Sequence, residues 1–216
     1  MLAAISHDLR TPLTRRRLRT ERVADSDLQA AMLTDITTIS RMMDETLDYL
    51  RDDAQSETVT RIDLPSFLKT ICFDLADMGH DVAYVGPGRL SYECRPRALS
   101  RAITNIVGNA VKFAGKVSVA LAEDETGQIE IEIAENGPGI PESIRDRVFD
   151  PFFKADNART SINKGFGLGL SIAREVVQRH GGAIELNSND PTGLRVVMTM
   201  PAVGAVSSKS SKRQCA

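Results

Sequence analysis

Tryptophan is absent from the 216 residues, and aromatic side chains together make up only 5% of them. A core built from this chain is therefore aliphatic, and an apolar content of 42% is enough to fill one. Cysteine is scarce: Cys72, Cys94 and Cys215 are odd in number, widely spaced and without a CxxC pair. That speaks against a disulfide framework and against a zinc site, and it fits a reducing cytosol. An excess of one charge is lacking too. Lys and Arg number 27 against 29 Asp and Glu, a formal net charge of -2, which argues against nucleic acid or an anionic membrane as a general partner. The local exception, Arg15, Arg16, Arg17, Arg19 and Arg22, reads as a solvated helix face. No apolar run reaches the roughly 18 residues of a membrane span, no signal peptide precedes the first helix, and no internal repeat is present.

What the chain does have begins at ISHDLRTPLT, Ile5 to Thr14. Leu2, Ile5, Leu9 and Leu13 form one stripe of an amphipathic helix, and His7 lies off that stripe, toward water. Asp8 sets a carboxylate beside the imidazole, where it can take a proton and make the neutral ring a better nucleophile near its usual pKa of about 6.5. Thr11 follows one turn later on the same face, with a hydroxyl able to position a water. Pro12 removes a backbone donor and predicts a bend or loosening around the histidine. Taken alone, the segment is also compatible with a kinked surface helix. The first helix is expected over 1 to about 23, with a polar break at Ala24–Asp27. Leu28, Met32, Ile36, Ile39, Met43, Leu47 and Leu50 then mark a second amphipathic helix to about Arg51. Such a hairpin leaves much of each stripe exposed, so pairing with a second copy into a four-helix bundle completes it. Arg16 interrupts the first stripe where an apolar residue was expected. Six residues of helix ahead of His7 read as a fragment whose upstream part is missing.

Residues 53–60 are polar and read as a linker. Beyond them the pattern is mixed: a strand near Arg61–Asp63, a helix over about Ser66–Met78, and strands at Val82–Val85 and Leu90–Cys94 on either side of the turn Gly86–Gly88. A helix opened by Pro96 follows, then alternating strands through Val117–Leu121 and Ile129–Ile133, which form an antiparallel pair. A short helix is expected from about Glu142 and a long irregular segment over Phe149–Phe166, a length typical of lids. The last helix spans Leu168–His180 and the last strands Ala183–Leu186 and Leu194–Met200. Residues 203–216 read as a disordered tail. The fold class is α plus α/β: an antiparallel helical hairpin over 1–52, then a two-layer α/β sandwich over 61–202.

Several stretches of the second part can carry chemistry. Asn105, Asn109 and Lys112 share one helix face, where amide oxygens suit Mg²⁺ and an ammonium suits phosphate; an ordinary polar solvent face is the competing reading. ENGPGIP, Glu135 to Pro141, follows a strong strand. Gly137 and Gly139 let backbone approach a flat ligand, and a strand-end carboxylate can accept from an exocyclic amine such as that of adenine, although a tight turn would look the same. KGFGLGLSIA, Lys164 to Ala173, leads glycines into a helix start, an anion-site arrangement. Phe149, Phe152 and Phe153 could anchor a lid, and Lys154 and Arg159 could reach phosphates.

In this order the stretches resemble the sensor histidine kinases of two-component signalling over about residues 1–201. SHDLRTPLT is similar to their H box, NIVGNAVKF to the N box, ENGPGI to the first glycine box, FDPFFK to the phenylalanine box and GFGLGLSIA to the second glycine box. The resemblance implies a dimerisation and phosphoacceptor hairpin joined to an ATP-binding sandwich of the kind shared with gyrase and MutL ATPases. It implies His7 as the phosphoacceptor, Asp8 as its activating acid and Thr11 as the residue that positions water for dephosphorylating a partner. It further implies ATP and Mg²⁺ as cofactors, with Asn109 as the metal ligand and Asn105 and Lys112 at the phosphates. Glu135, Gly137 and Gly139 would then line the adenine pocket, and Lys154, Arg159, Gly165, Gly167, Leu168 and Gly169 would form the lid and phosphate side. His180 is expected to be structural, and His80 has no role. The implied partners are a second copy of the chain and the receiver domain of a response regulator, with no nucleic acid and no membrane contact from this piece. The implied setting is a cytoplasmic fragment of a protein anchored in the bacterial inner membrane.

One departure bears on activity. The first glycine box of the family begins with Asp, and here it begins with Glu135, one methylene longer. In a positioned site a misplacement of about 1 Å can cost roughly a hundredfold. The alternative expectation is therefore a chain that acts mainly as a response-regulator phosphatase, or as a dimeric scaffold with an impaired nucleotide site.

Overall fold

The computed structural model describes residues 2–50, 57–155 and 165–202, and the backbone alone for residues 2–8, 44, 45 and 48–50. The first part of the linker, Arg159 with its neighbours in the lid, and the tail from residue 203 lie outside the described residues.

Helix α1 spans Leu2–Thr20 and runs unbroken through Pro12. It stops short of residue 23 because its end tightens: Arg22 N–H bonds the Arg19 carbonyl at 3.1 Å and Val23 N–H the Thr20 carbonyl at 3.0 Å. Helix α2 spans Ser26–Leu50. Asp25 caps it, one carboxylate oxygen accepting from Asp27 N–H and Leu28 N–H, each at 3.0 Å. Gln29 reaches back to donate to the carbonyls of Thr20 and Glu21 at 3.3 and 3.0 Å, so the end of α1 is closed by the start of α2. Ile36 and Leu47 of α2 are buried, while Leu9, Leu28, Met32 and Ile39 stay exposed. Arg16 is exposed, so its place on α1 buries no charge.

The α/β part holds two sheets. Strands β1 (Thr60–Asp63) and β3 (Ser91–Cys94) pair antiparallel as a small ribbon. Strands β2 (Val82–Val85), β4 (Val117–Glu123), β5 (Ile129–Glu135), β6 (Ala183–Ser188) and β7 (Leu194–Met200) form a five-stranded sheet in the order β2-β4-β5-β7-β6. Only β2 with β4 is parallel. The strands flanking Gly86–Gly88 thus belong to different sheets and make no hairpin. The chain leaves β2 and is captured by β1: Leu90 N–H donates to Asp63 at 3.0 Å, and Leu90 carbonyl accepts from Leu64 N–H at 2.8 Å.

Helices α3 (Leu64–Asp77), α4 (Pro96–Phe113) and α5 (Gly169–Arg179) share one core with the sheet. The period-two rows Val117, Val119, Leu121, then Ile129, Ile131, Ile133, then Val196, Met198, Met200 are all buried, so one sheet face meets the helices. The helix expected from Glu142 is two short 3-10 turns, Glu142–Ile144 and Arg147–Phe149. Cys72 and Cys94 are buried, and burial pushes the Cys94 thiol up to about 12, which makes it inert. Among the described residues no helix is long and apolar enough to cross a membrane.

The expected linker ends earlier than residue 60. Thr60 already pairs with Cys94, and Glu57 is tied to α4. The reason is the start of that helix, where Pro96 has no N–H to satisfy. Arg97 N–H and Ala98 N–H both donate to the Glu57 carboxylate, at 2.7 and 3.0 Å. Arg95 N–H donates to Nε2 of His180 at 3.1 Å, and the His180 Nδ1 proton goes to the Val176 carbonyl at 2.8 Å. Every donor at the entry to α4 is therefore met. Burial holds His180 below its ordinary pKa, which keeps the ring neutral and able to accept.

Candidate functional site

The other end of the α4–α5 layer is built differently. Helix α5 begins at Gly169, with Leu168 as its cap residue and no side-chain capping bond. Its first amides make an anion site of the kind a helix start offers. Asn105 abuts that start: a Cβ placed on Gly169 would lie 3.6 Å from Asn105 Cβ, Cγ and Oδ1. The Nδ2 atom of Asn105 is buried with no hydrogen-bond partner. A buried donor in that condition is costly, about 1–3 kcal/mol, and is expected to meet a ligand acceptor.

Asn109 is half-buried one turn further along α4. Lys112 is exposed, and its ammonium lies 3.7 Å from where a Cβ on Gly165 would stand. The face of α4 that carries Asn105, Asn109 and Lys112 therefore looks onto the second glycine box. Its two amides and one ammonium fit a magnesium-bound polyphosphate: hard oxygen ligands, an amide donor and a point charge.

The first glycine box closes the second side. Glu135 ends the buried row of β5 and is itself buried at 6% exposure. Its carboxylate accepts from Gly137 N–H at 2.6 Å, so the side chain is folded back onto its own loop. Gly137 is required by close approach: a Cβ there would strike that carboxylate and stand 2.7 Å from the Phe113 carbonyl. This box therefore presses on the end of α4. Asn136 locks the contact, its Oδ1 accepting from Gly115 N–H and Lys116 N–H at 3.1 and 3.0 Å.

The phenylalanine box is stitched to the second glycine box. Phe152 N–H donates to the Gly167 carbonyl at 3.0 Å. Gly167 has φ +79°, and a Cβ would come within 2.5 Å of the Phe153 carbonyl, so only glycine fits. Phe149 is buried beneath Arg174, whose guanidinium lies 5.1 Å from the ring. The Lys154 ammonium stands 5.5 Å over the Phe166 ring, which ties the phenylalanine box to the second glycine box.

The fold thus brings Asn105 and Lys112 against Gly169 and Gly165, with Asn109 on the same face of α4 and Gly167 and Leu168 in the same glycine box; Gly137 meets the end of α4 at Phe113, and Glu135 and Gly139 belong to that first glycine box. His7 and Asp8 have their backbone on α1, and their side chains lie outside the described residues, as does Arg159. Thr11 is exposed on α1. Sequence reasoning missed Asn136, Arg145 and Asn189 as supports of the first glycine box. For Asn136 the signal was its place inside ENGPG. Asn189 lies in the stretch NDPTG between the last two strands, where no local pattern points to Glu135.

Known proteins give a consistent background. The family model for histidine kinase-, DNA gyrase B-, and HSP90-like ATPases matches residues 94–204, just over half of the chain. The chain is 34% identical over 204 residues to the sensor histidine kinase GtrS of Pseudomonas aeruginosa, across 94% of this chain and 42% of that protein. It is 32% identical over 212 residues to the sensor histidine kinase CpxA of Escherichia coli, across 93% of this chain and 46% of that protein. The chain therefore spans less than half the length of these relatives. Among solved structures, full-length ShkA in complex with AMPPNP superposes with a TM-score of 0.74 over 93% of this chain and 45% of that one; at 23% identity this likeness concerns the fold. The mycobacterial sensor histidine kinase MprB superposes with a TM-score of 0.59 at 27% identity, over 67% of this chain and 97% of that one.

Proposed function

This chain belongs to the sensor histidine kinases, with an ATP-binding domain of the histidine kinase, gyrase B and HSP90 type, and we propose that it is an ATP-dependent protein-histidine kinase whose phosphoacceptor is His7. The observation that carries the reading is the buried, unpartnered Nδ2 of Asn105 against the uncapped start of α5. ATP binds with its polyphosphate between α4 and the second glycine box, held by Asn105, by Lys112 and by the first amides of α5. The adenine lies toward Glu135, Gly137 and Gly139. Asn109 holds Mg²⁺, which when bound supplies neutralisation of phosphate charge.

The neutral His7 imidazole attacks the γ-phosphorus in line as the bond to the leaving ADP oxygen breaks, and Asp8 takes the imidazole proton. The protein supplies position and charge rather than covalent groups of its own beyond His7. The phosphoryl group then passes to an aspartate of a response-regulator receiver domain, and Thr11 positions the water that later hydrolyses that phosphoaspartate to aspartate and inorganic phosphate. The exposed apolar residues Leu9, Leu28, Met32 and Ile39 support a homodimer through the hairpin. A membrane anchor and sensor belong to a longer parent protein, with this piece on the cytoplasmic side.

The test is labelling with γ-labelled ATP and Mg²⁺ for the parent chain, His7→Gln and Glu135→Asp. The reading expects labelling of the parent that disappears in His7→Gln. Label retained in His7→Gln removes His7 from its role. Labelling seen only after Glu135→Asp would move the lead to the phosphatase or scaffold reading.

A further inference from the structure

The turn between β6 and β7 lies far along the chain from the glycine boxes, yet it is bonded to both ends of the first one. At the near end, Asn189 Nδ2–H donates to the Glu135 carbonyl at 3.0 Å. Glu135 pairs with Leu194 as the last rung between β5 and β7, so the Asn189 amide continues the ladder where strand backbone has run out. Gly193 packs directly on the same carbonyl, and a Cβ there would also stand 3.1 Å from Asn136 Cα. Asn189 is itself set by the turn, its N–H donating to the Gly193 carbonyl at 3.1 Å.

At the far end, Arg145 donates through Nε to the Ile140 carbonyl at 3.2 Å and through Nη2 to Ser188 Oγ at 2.6 Å. A Cβ on Gly139 would lie 2.7 Å from the Gly193 carbonyl. The loop 135–140 is therefore held like a strap, fastened at its start by Asn189 and Gly193 and at its end by Arg145 and Ser188.

We propose that this turn is the positioning device for the purine end of the nucleotide site, with Asn189 as the positioning residue for Glu135. The inference rests on the reading that Glu135 faces the base. Glu135 has its carboxylate bent back to Gly137 N–H, so the path of its own backbone decides where the remaining carboxylate oxygen points. Asn189 fixes that path without touching nucleotide. Its loss lets the carbonyl turn, and the carboxylate turns with it, while the phosphate side built on α4 and α5 is left as it was.

The experiment uses the full chain and measures affinity by calorimetry for Mg·ATP and for Mg·tripolyphosphate, a probe that lacks a base. Asn189→Asp keeps size and shape but cannot donate to the Glu135 carbonyl, and Asn189→Ala removes the group. Both are expected to weaken ATP about tenfold, a displacement of a few tenths of an ångström in a positioned site, and to leave tripolyphosphate unchanged. Parent-like ATP affinity in both variants, with Glu135→Ala losing it, overturns the role of Asn189 and leaves the reading of Glu135 intact. Parent-like ATP affinity in Glu135→Ala overturns that reading and the proposal with it. A parallel loss of both ligands, with a lowered melting temperature of the free protein, reduces Asn189 to general structural support and also overturns the proposal.

Discussion

Replacing Asn105 with leucine should make the free protein more stable and the nucleotide complex weaker. Asn105 Nδ2 is buried without a partner, and such a donor costs about 1–3 kcal/mol that leucine, of similar shape, does not incur. For a chain of this size 1 kcal/mol moves the melting point by about 2–4 °C, so a gain of about 2 kcal/mol should appear as a rise of about 6 °C. Helix propensity adds a few tenths of a kcal/mol. Thr104→Leu, at an exposed position on the same helix, measures that part separately. With ATP the sign reverses. A hydrogen bond to a charged group is worth about 1.5–3 kcal/mol, so Kd should rise roughly tenfold to a hundredfold. Ligand at 100 times the parent Kd stabilises by about 2.7 kcal/mol, and a hundredfold weaker site leaves about 0.4 kcal/mol. Thermal melts with and without Mg·ATP read both effects in one experiment. A lowered melting point of the free variant, or an ATP shift equal to the parent's, would refute the argument that this amide awaits a phosphate oxygen.

Other outcomes follow from the same structure. Burial lowers the His180 pKa, so its contribution to stability is complete above the unfolded value of about 6.5 and is lost as pH falls below it. Melts from pH 7.5 to 5 should show this slope, and His180→Gln, which gains no proton, should flatten it; an unchanged slope assigns the effect elsewhere. Glu57→Ala removes the acceptor for Arg97 N–H and Ala98 N–H and should cost about 1 kcal/mol, with Glu57→Gln losing less, measured by chemical denaturation. Gly137→Ala places a methyl against the Glu135 carboxylate and the Phe113 carbonyl. It should abolish ATP binding by calorimetry while far-ultraviolet circular dichroism stays close to the parent's.

Much of this molecule can be read without its structure because the signals are local. The alternation of Ile129, Ile131 and Ile133 and the three-to-four spacing of Leu99, Ile103 and Ile106 follow from the pleat and the helix turn alone. Asp25 and Pro96 mark helix starts through their own backbone chemistry. The order of the boxes then identifies the family, and with it the residues to inspect. What neighbours in space decide is not written at one position. The flanks of Gly86–Gly88 look like a hairpin, yet β2 and β3 go to different sheets because Asp63 and Leu64 capture Leu90. Glu57 looks like linker, and it becomes a cap only when folding brings it to a helix whose first residue is proline. The direction of the Glu135 carboxylate depends on Gly137, and the path of its backbone on Asn189 and Gly193, from a hairpin more than fifty residues away. Sequence determines which atoms can make bonds and with what period they face a core. Only the tertiary fold decides which donor reaches which acceptor, because hydrogen bonds act over about 3 Å and distance along the chain does not set distance in space.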